Sequence, residues 1–241
     1  MKKIIIATMV ICLCTTLVFA APVTAKSSYK IPSNIDPSAK YLFFMHGRIV
    51  EKRGPQGVHP KHPEWGPHDY YGILKSFEEK GFTVISEERP KGTKLSKYSK
   101  KVAKQIIALL EARVPPENIT VSGFSKGGTM TLIVATLLKN PKIKYVILAG
   151  CCSNHPNPKF KKIIRENVLS RCKDLQGWFL SIYDTVDDQC QTCETEFKMA
   201  APETINSTEI KLTTGLGHGL FWTTREEWLE PMVSWINQSQ Q

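Results

Sequence analysis

From Tyr41 onward, short apolar runs rich in β-branched residues alternate with longer stretches whose apolar residues recur every three to four positions. The first pattern predicts buried strands and the second predicts amphipathic helices. The predicted strands are Tyr41–Met45, Phe82–Ser86, Ile119–Ser122, Tyr145–Leu148, Trp178–Tyr183 and Glu209–Thr213. The predicted helices are Tyr70–Lys80, Tyr98–Val114, Gly128–Lys139, Phe160–Leu175 and Arg225–Asn237. This alternation predicts an α/β fold, a three-layer α/β/α sandwich with a mostly parallel, doubly wound sheet of about six strands.

The segment between Arg48 and His68 interrupts the alternation because it is polar and rich in glycine and proline. We interpret it as a long loop, and a loop of this length in a compact domain is usually functional or disordered. It follows the first predicted strand, at the carboxyl edge where ligands bind in open α/β sheets. We therefore expect the loop, with Trp65, Tyr70 and Tyr71, to wall a substrate cleft.

Residues 1–25 have the layout of a secretory signal peptide, with a positive start, an apolar stretch and small-residue cleavage patterns that end at Ala20 and Ala25. This layout predicts an exported protein, periplasmic or secreted, with one domain in residues 26–241. The apolar stretch is at the long end for a cleaved signal, so an uncleaved N-terminal membrane anchor is the alternative. No later stretch is long and apolar enough to predict a membrane span.

The chain carries a formal net charge of +10 at pH 7. Its basic residues are scattered and are densest in the run Lys91, Lys94, Lys97, Lys100, Lys101 and Lys104. No zinc-finger spacing, aromatic RNA-binding signature or recognition-helix pattern accompanies them, so nucleic acid is not an expected partner. We interpret the run as a solvated, lysine-rich face.

Five cysteines follow the predicted signal peptide: Cys151, Cys152, Cys172, Cys190 and Cys193. In an oxidising compartment they form two disulfides at most and leave one thiol, and the spacing leaves the pairing open. The pair Cys190 and Cys193 has no second such pair or nearby histidines, so zinc is not expected. The spacing of His59, His62 and His68 in a proline-broken segment also fits no metal site, and we expect neither a metal nor a cofactor.

The stretch Gly123-Phe124-Ser125-Lys126-Gly127 follows a predicted strand and precedes a predicted helix. A Gly-x-Ser-x-Gly sequence in this position predicts a strained strand-to-helix turn that presents the serine hydroxyl as a nucleophile. The residues two before and two after the serine must be small, since a side chain there would strike neighbouring backbone. The backbone N–H of Lys126, at the helix N-terminus, is a candidate oxyanion donor.

A base and an acid follow Ser125 in the order that this arrangement requires. His218 lies among glycines after the last predicted strand, where a flexible loop can bring its imidazole to the serine. The carboxylate is expected after the preceding strand, where Asp184 and Asp187 are the candidates. We favour Asp187 because such turns commonly place the acid three residues beyond the first residue of the turn, and Asp184 remains the alternative.

The second oxyanion donor is expected in the loop after the first strand. His46-Gly47-Arg48 lies there, with Gly47 permitting a sharp turn and Arg48 offering its backbone N–H. The side chains of Arg48, Arg89 and Lys126 either bring positive charge to the cleft, which would suit an acidic or phosphate-bearing substrate, or are solvated.

These motifs resemble those of small, single-domain members of the α/β-hydrolase family, similar in layout to dienelactone hydrolases, carboxylesterases and acyl-protein thioesterases. The resemblance covers about residues 40–237. It implies the following roles: nucleophile Ser125, acid Asp187, base His218, and oxyanion donors Arg48 and Lys126. The sequence departs from the family pattern by carrying Lys126 where glutamine, methionine or leucine is frequent, and Asp184 where glycine is common.

The resemblance implies an exported serine hydrolase that cleaves a small-molecule carboxylic ester or thioester through an acyl-enzyme. A peptidase or acyltransferase with the same residues is an alternative, because fold does not fix function. A non-catalytic binding protein on a hydrolase scaffold is another, although the intact order of serine, aspartate and histidine argues against it. The sequence leaves substrate identity, acyl-chain length and oligomeric state open.

Overall fold

The structure is a computed structural model and describes residues 29–238, so the predicted signal peptide lies outside the described residues. The strands are β1 (Tyr41–Met45), β2 (Val58–His59), β3 (His62–Pro67), β4 (Thr83–Ile85), β5 (Ile119–Phe124), β6 (Lys144–Leu148), β7 (Gly177–Asp184) and β8 (Ile205–Leu212). The α-helices are α1 (Arg48–Arg53), α2 (Tyr70–Glu79), α3 (Leu95–Glu111), α4 (Lys126–Leu138), α5 (Pro158–Asn167), α6 (Glu194–Lys198) and α7 (Glu226–Asn237). None of the helices in this part of the chain has the length and apolar character needed to cross a membrane.

Six strands form the central sheet in the order β4-β1-β5-β6-β7-β8, and every neighbouring pair is parallel. The order reverses at β1, because the chain adds β4 on one side of it and all later strands on the other. Parallel strands need crossover connections, which here place helices on the sheet faces. The α/β sandwich expected from the alternating pattern is confirmed.

The central strands are buried on both sides and divide their side chains between two apolar clusters. In β1, Phe43 belongs to the cluster that contains residues of α3 and α4, whereas Phe44 belongs to the cluster that contains residues of α2 and α7. Consecutive strand residues point to opposite faces, so an uninterrupted apolar run serves both helical layers. Trp228 of α7 is fully buried in the second cluster and packs against Phe77 of α2.

The prediction of a long loop between Arg48 and His68 is wrong. The segment forms helix α1, which buries Ile49 and Val50, and then the antiparallel hairpin β2–β3. Gly54 adopts φ 82° and ends α1, so the glycines and prolines that indicated a loop mark the borders of short elements instead.

The segment predicted as one helix from Phe160 to Leu175 is two elements. Helix α5 begins earlier, after Asn157 caps the backbone N–H groups of Lys159 and Phe160, and a 3-10 helix (Leu169–Asp174) follows it. The edge strand β8 begins four positions before its predicted start at Glu209. The sequence pattern missed this start because the exposed residues Asn206 to Thr208 are polar and show no apolar alternation.

Two disulfides join the loops that follow β6 and β7. Cys151 pairs with Cys193 and Cys152 with Cys190, with Cα atoms 5.0 and 4.4 Å apart, and Cys172 is buried as a free thiol. This is the expected number of bridges, and the structure supplies the pairing that spacing left open. Each cross-link constrains the unfolded chain and typically stabilises a domain by about 2–4 kcal/mol.

A buried carboxyl lies beside these disulfides. Glu196, in α6, has no exposed surface and accepts a hydrogen bond from Ser153 Oγ at 3.4 Å. Burial raises the pKa of Glu196 to about 7, against an ordinary value of 4.5. Between these two values the folded chain keeps a proton that the unfolded chain has lost, so stability is intact below pH 4.5 and falls as pH rises to 7.

We expect the Glu196→Gln variant to lose this pH dependence. In the unmodified protein the contribution of Glu196 lowers the free energy of unfolding by up to about 3 kcal/mol between pH 4.5 and pH 7.5. Urea unfolding at several pH values measures the slope, and the difference between the two proteins isolates Glu196 from other titrating groups. Equal slopes would contradict the expected effect.

Candidate active site

Ser125 lies between the last residue of β5 and the first residue of α4. Its φ of 55° and ψ of −119° are rare for a residue with a side chain, and such strain costs about 1–3 kcal/mol. The strand and the helix hold the conformation, since Ser125 donates its N–H to the Leu148 carbonyl and its own carbonyl accepts from Thr129 N–H. The strained turn expected from the sequence is present.

Two glycines allow the turn to close. A Cβ on Gly123 would lie 2.3 Å from the carbonyl carbon of Gly127, and a Cβ on Gly127 would lie 1.7 Å from the carbonyl oxygen of Met45. Neither backbone neighbour can yield by such distances, so both positions require glycine. The steric requirement expected from the sequence around Ser125 is therefore present.

The imidazole of His218 faces Ser125. His218 belongs to a 3-10 helix (Gly217–Phe221) that follows β8, and its Nε2 atom lies 2.9 Å from Ser125 Oγ. The ring is almost fully buried and packs 4.9 Å from the ring of Phe124. The parallel sheet explains this meeting, because β5 and β8 both end at the same edge.

Asp187 completes a series of hydrogen-bonded side chains. Its Oδ2 atom lies 2.6 Å from Nδ1 of His218, and its Oδ1 atom accepts the backbone N–H groups of Gln189 and Cys190 at 2.8 and 3.2 Å. The carboxylate is fully buried, so these amides and the imidazole replace water as its partners. The disulfide at Cys190 anchors the same turn.

Asp184, the alternative acid, has different partners. Its Oδ1 atom accepts the Val186 N–H at 3.0 Å, and its Oδ2 atom accepts both the N–H and the hydroxyl of Thr214. Burial alone would raise the pKa of Asp184, but these hydrogen bonds outweigh it and lower the pKa below the ordinary value. Asp184 therefore ties the end of β7 to the start of the His218 loop.

The backbone N–H groups of Arg48 and Lys126 begin helices α1 and α4. Gly47 lies between the end of β1 and Arg48, and its φ of −70° is one that any residue can adopt. The sharp turn expected from the sequence is therefore not the reason for a glycine at this position. A Cβ on Gly47 would lie 3.0 Å from the ring of Phe124 and 3.6 Å from Cβ of Ser125, so the reason is close approach to the serine turn.

His46 fixes the orientation of the Arg48 N–H. Burial, reinforced by the charge of Arg89, lowers the pKa of His46 to about 2, so its ring is neutral. Nε2 accepts the backbone N–H of Arg89 at 2.8 Å, which leaves Nδ1–H to donate to the Gly47 carbonyl, also at 2.8 Å. Because a trans peptide unit is planar, that contact turns the Arg48 N–H to the opposite side.

A buried ion-pair network joins three of the loops at this edge. Glu51 of α1 accepts from Arg89 Nε at 3.0 Å and from Lys126 Nζ at 2.6 Å, and the Arg89 and Glu51 side chains have almost no exposed surface. The guanidinium of Arg89 also donates to the His46 carbonyl. The network ties α1 to the start of α4 and explains the lysine at position 126, where the resembling enzymes frequently carry an uncharged residue.

We expect the Glu51→Ala variant to lower the free energy of unfolding by about 3–5 kcal/mol, because it leaves Arg89 and Lys126 without their counter-charge. Glu79→Ala is the matched control, since it breaks the exposed pair with Lys75 and should cost about 0–1 kcal/mol. Urea unfolding compares the two. A loss for Glu51→Ala no larger than that of the control would show that the network does not stabilise the protein.

Solved structures of hydrolases superpose on this chain at low identity. A dipeptidyl peptidase 4 from Porphyromonas gingivalis has a TM-score of 0.54 and 16% identity, covering 85% of this chain and 32% of that one. A lipase-esterase related protein from Clostridium acetobutylicum has a TM-score of 0.50 and 16% identity, covering 83% and 95%. A protein from Klebsiella pneumoniae, assigned as a dienelactone hydrolase, has a TM-score of 0.52 and 13% identity, covering 86% and 90%. No family model and no curated protein matches the sequence.

The chain has the α/β-hydrolase fold. This confirms the fold expected from the resemblance of its motifs. At these identities the likeness concerns the fold alone, so the chemistry of this α/β-hydrolase fold protein is argued from its own side chains.

In this α/β-hydrolase fold a cavity of about 290 Å³ opens beside Ser125. The hairpin β2–β3 contributes His59 and Pro60 to its lining, and the segment after β6 contributes His155 and Phe160. The segment that follows the first strand therefore walls the cleft, as expected.

The aromatic residues expected in that wall lie elsewhere. Trp65 packs behind the His218 loop, where a Cβ on Gly219 would come within 2.6 Å of the indole. Tyr70 is buried and its hydroxyl is hydrogen-bonded to that of Ser86, and the hydroxyl of Tyr71 donates a hydrogen bond to Glu88. None of the three lines the cavity beside Ser125, so the expectation for these aromatics was wrong.

Proposed function

We propose that the protein is an exported serine hydrolase that cleaves a small-molecule carboxylic ester or thioester. One observation carries the proposal: Ser125 Oγ, the imidazole of His218 and the carboxylate of Asp187 form an unbroken hydrogen-bonded series, and its serine and histidine line a cavity. An alcohol, an imidazole and a carboxylate in this order are the groups that activate a serine nucleophile.

The first half of the proposed reaction acylates Ser125. Asp187 accepts the Nδ1–H of His218, which leaves Nε2 free to take the proton from Ser125 Oγ. Oγ then bonds to the substrate carbonyl carbon, and the carbonyl oxygen becomes an oxyanion that accepts from the N–H groups of Arg48 and Lys126. When the carbon–oxygen or carbon–sulfur bond breaks, protonated His218 returns its proton to the leaving alcohol or thiol.

The second half releases the acyl group. A water molecule gives a proton to His218, and its oxygen bonds to the acyl carbon as Ser125 Oγ leaves and is reprotonated. The N-terminus of α4 supports the oxyanion in both halves, because the partial positive charge of a helix of 13 residues is directed to this point. The cavity of about 290 Å³ is near the lower end of ligand pockets, so a small-molecule ester fits beside Ser125.

The exported location is supported by the disulfides. Disulfides form and persist in oxidising compartments, and two of them lie within residues 29–238, one at Cys190, three residues after Asp187. The signal layout of residues 1–25 predicts the same location.

Labelling with a fluorophosphonate tests the proposal directly, because such a probe phosphonylates an activated serine and not an ordinary one. We expect one label per folded chain, located on the peptide that contains Ser125 by mass spectrometry. Ser125→Ala should abolish labelling, whereas Ser122→Ala, which removes a buried hydroxyl three residues earlier, should retain it. A folded chain that takes up no label would favour a binding protein on this scaffold.

A further inference from the structure

A second, larger cavity adjoins the one beside Ser125. Its volume is about 770 Å³, and it lies between α1, the first turns of α3, and α5. The two cavities share four lining residues, Arg48, Lys52, Lys126 and Phe160. A substrate whose ester bond reaches Ser125 can therefore extend into this space.

Almost half of the residues that line the larger cavity are cationic. Seven cationic side chains contribute to it, namely Arg48, Lys52, Lys91, Lys94, Lys97, Lys100 and Lys126. Among the described residues of the lining, Glu51 is the one carboxylate, and it already pairs with Arg89 and Lys126. Across residues 29–238, no ion pair involves any of the four lysines Lys91, Lys94, Lys97 and Lys100. Like charges gathered around one concave space repel each other unless an anion enters.

The same cavity also has an apolar wall. Leu95 comes from α3, and Phe160 and Ile163 come from α5. Ile163 keeps 42% of its surface exposed, so part of this apolar wall is open to a ligand. Apolar groups set among cations suit a molecule that has an apolar body and a negative charge.

We propose that this lysine cavity, lined by Lys91, Lys94, Lys97 and Lys100 together with Leu95 and Ile163, binds an anionic group of the substrate while the ester bond lies at Ser125. The proposal rests on the proposed function and names its substrate class: an ester or thioester whose apolar body carries a carboxylate, phosphate or sulfate. The run of lysines between residues 91 and 100, interpreted from sequence as a solvated face, thereby acquires a role in recognition.

Binding of two dyes, one with and one without a sulfonate group, tests the cavity without a reaction. Anilinonaphthalene sulfonate and N-phenylnaphthylamine have the same aromatic rings, and only the first carries a sulfonate group. In the Ser125→Ala chain we expect Lys94→Gln with Lys97→Gln to weaken sulfonate binding relative to neutral-dye binding by about fivefold. Lys75→Gln with Lys211→Gln removes the same charge from exposed positions elsewhere and should leave the ratio unchanged. Equal ratios in both double variants would overturn the proposal.

Turnover separates failure of this proposal from failure of the proposed function. The substrates are p-nitrophenyl hydrogen glutarate and its neutral methyl ester, with release of p-nitrophenol as the readout. We expect kcat/KM to favour the anionic ester, and the preference to fall about fivefold in the Lys94→Gln, Lys97→Gln variant and at high salt. Hydrolysis of both esters without preference would overturn the anionic substrate class. Hydrolysis of neither would overturn the esterase proposal, while the dye ratio still decides whether the cavity binds anions.

Discussion

Replacement of Ser125 by alanine is expected to lower kcat/KM for ester hydrolysis by about 10⁴-fold or more, because the substitution removes the atom that forms the acyl-enzyme. The activity that remains should come from the backbone donors at Arg48 and Lys126 and from binding. The fold should be retained, since alanine adopts the φ of 55° no less easily than serine and both flanking backbone hydrogen bonds persist. Initial rates with p-nitrophenyl acetate, and circular dichroism with urea unfolding, measure the two parts of the prediction.

The control for this variant is Ser122→Ala, which should keep kcat/KM within a few-fold of the unmodified protein. Ser122 has the same residue type, lies in β5 three residues before Ser125 and is fully buried. A Ser125→Ala protein that retained more than about a hundredth of the activity would exclude Ser125 as nucleophile. A protein that lost activity and also unfolded would show instead that the hydroxyl is needed for the turn, and Ser125→Cys would then separate the two roles.

Much of this fold follows from simple patterns because a parallel sheet imposes them. The uninterrupted apolar run Tyr41–Met45 must be covered on both faces, and this requirement, repeated over six strands, leaves few alternatives to helices on either side. The meeting of Ser125 with His218 follows in the same way, since loops after parallel strands gather at one edge.

The ion-pair network shows where sequence patterns stop being informative. Glu51 and Arg89 each lie in a short charged stretch that, by residue type, indicates a solvated surface. Both are buried because the segments after β1 and β4 pack against each other. Contacts between segments so far apart in the chain produce no periodic pattern of apolar residues in the sequence. The one feature of the sequence that could have predicted the network is Lys126, because a cation at the N-terminus of a buried helix needs a carboxylate nearby.

The hairpin β2–β3 was missed for a related reason. Its two strands are short and exposed, and they pair only with each other, so they need no alternation of apolar and polar residues. Their hydrogen bonds and the packing of Trp65 against Gly219 hold them in place. The glycine and proline content of this segment therefore predicted a loop and gave no sign of the two short strands.

Replacement of Asp187 by asparagine is expected to lower kcat about 10⁴-fold while the fold stays intact. The asparagine oxygen can keep the two contacts from Gln189 N–H and Cys190 N–H, which places the amide nitrogen against Nδ1 of His218. An amide N–H donated to Nδ1 forces the proton of the neutral ring onto Nε2, which can then no longer accept the proton of Ser125. Steady-state kinetics with p-nitrophenyl acetate measure the loss.

Asp184→Asn is the matched control, and it should fail in a different way. Both oxygens of Asp184 accept hydrogen bonds, one from Val186 N–H and the other from Thr214, so an amide nitrogen necessarily faces a donor. We expect the free energy of unfolding to fall by about 1–3 kcal/mol, with kcat changed by less than tenfold. If the two variants exchanged these results, Asp184 would be the acid that orients His218. The two carboxylates lie three residues apart on one turn, and the contrast between a kinetic and a structural defect therefore assigns each its role.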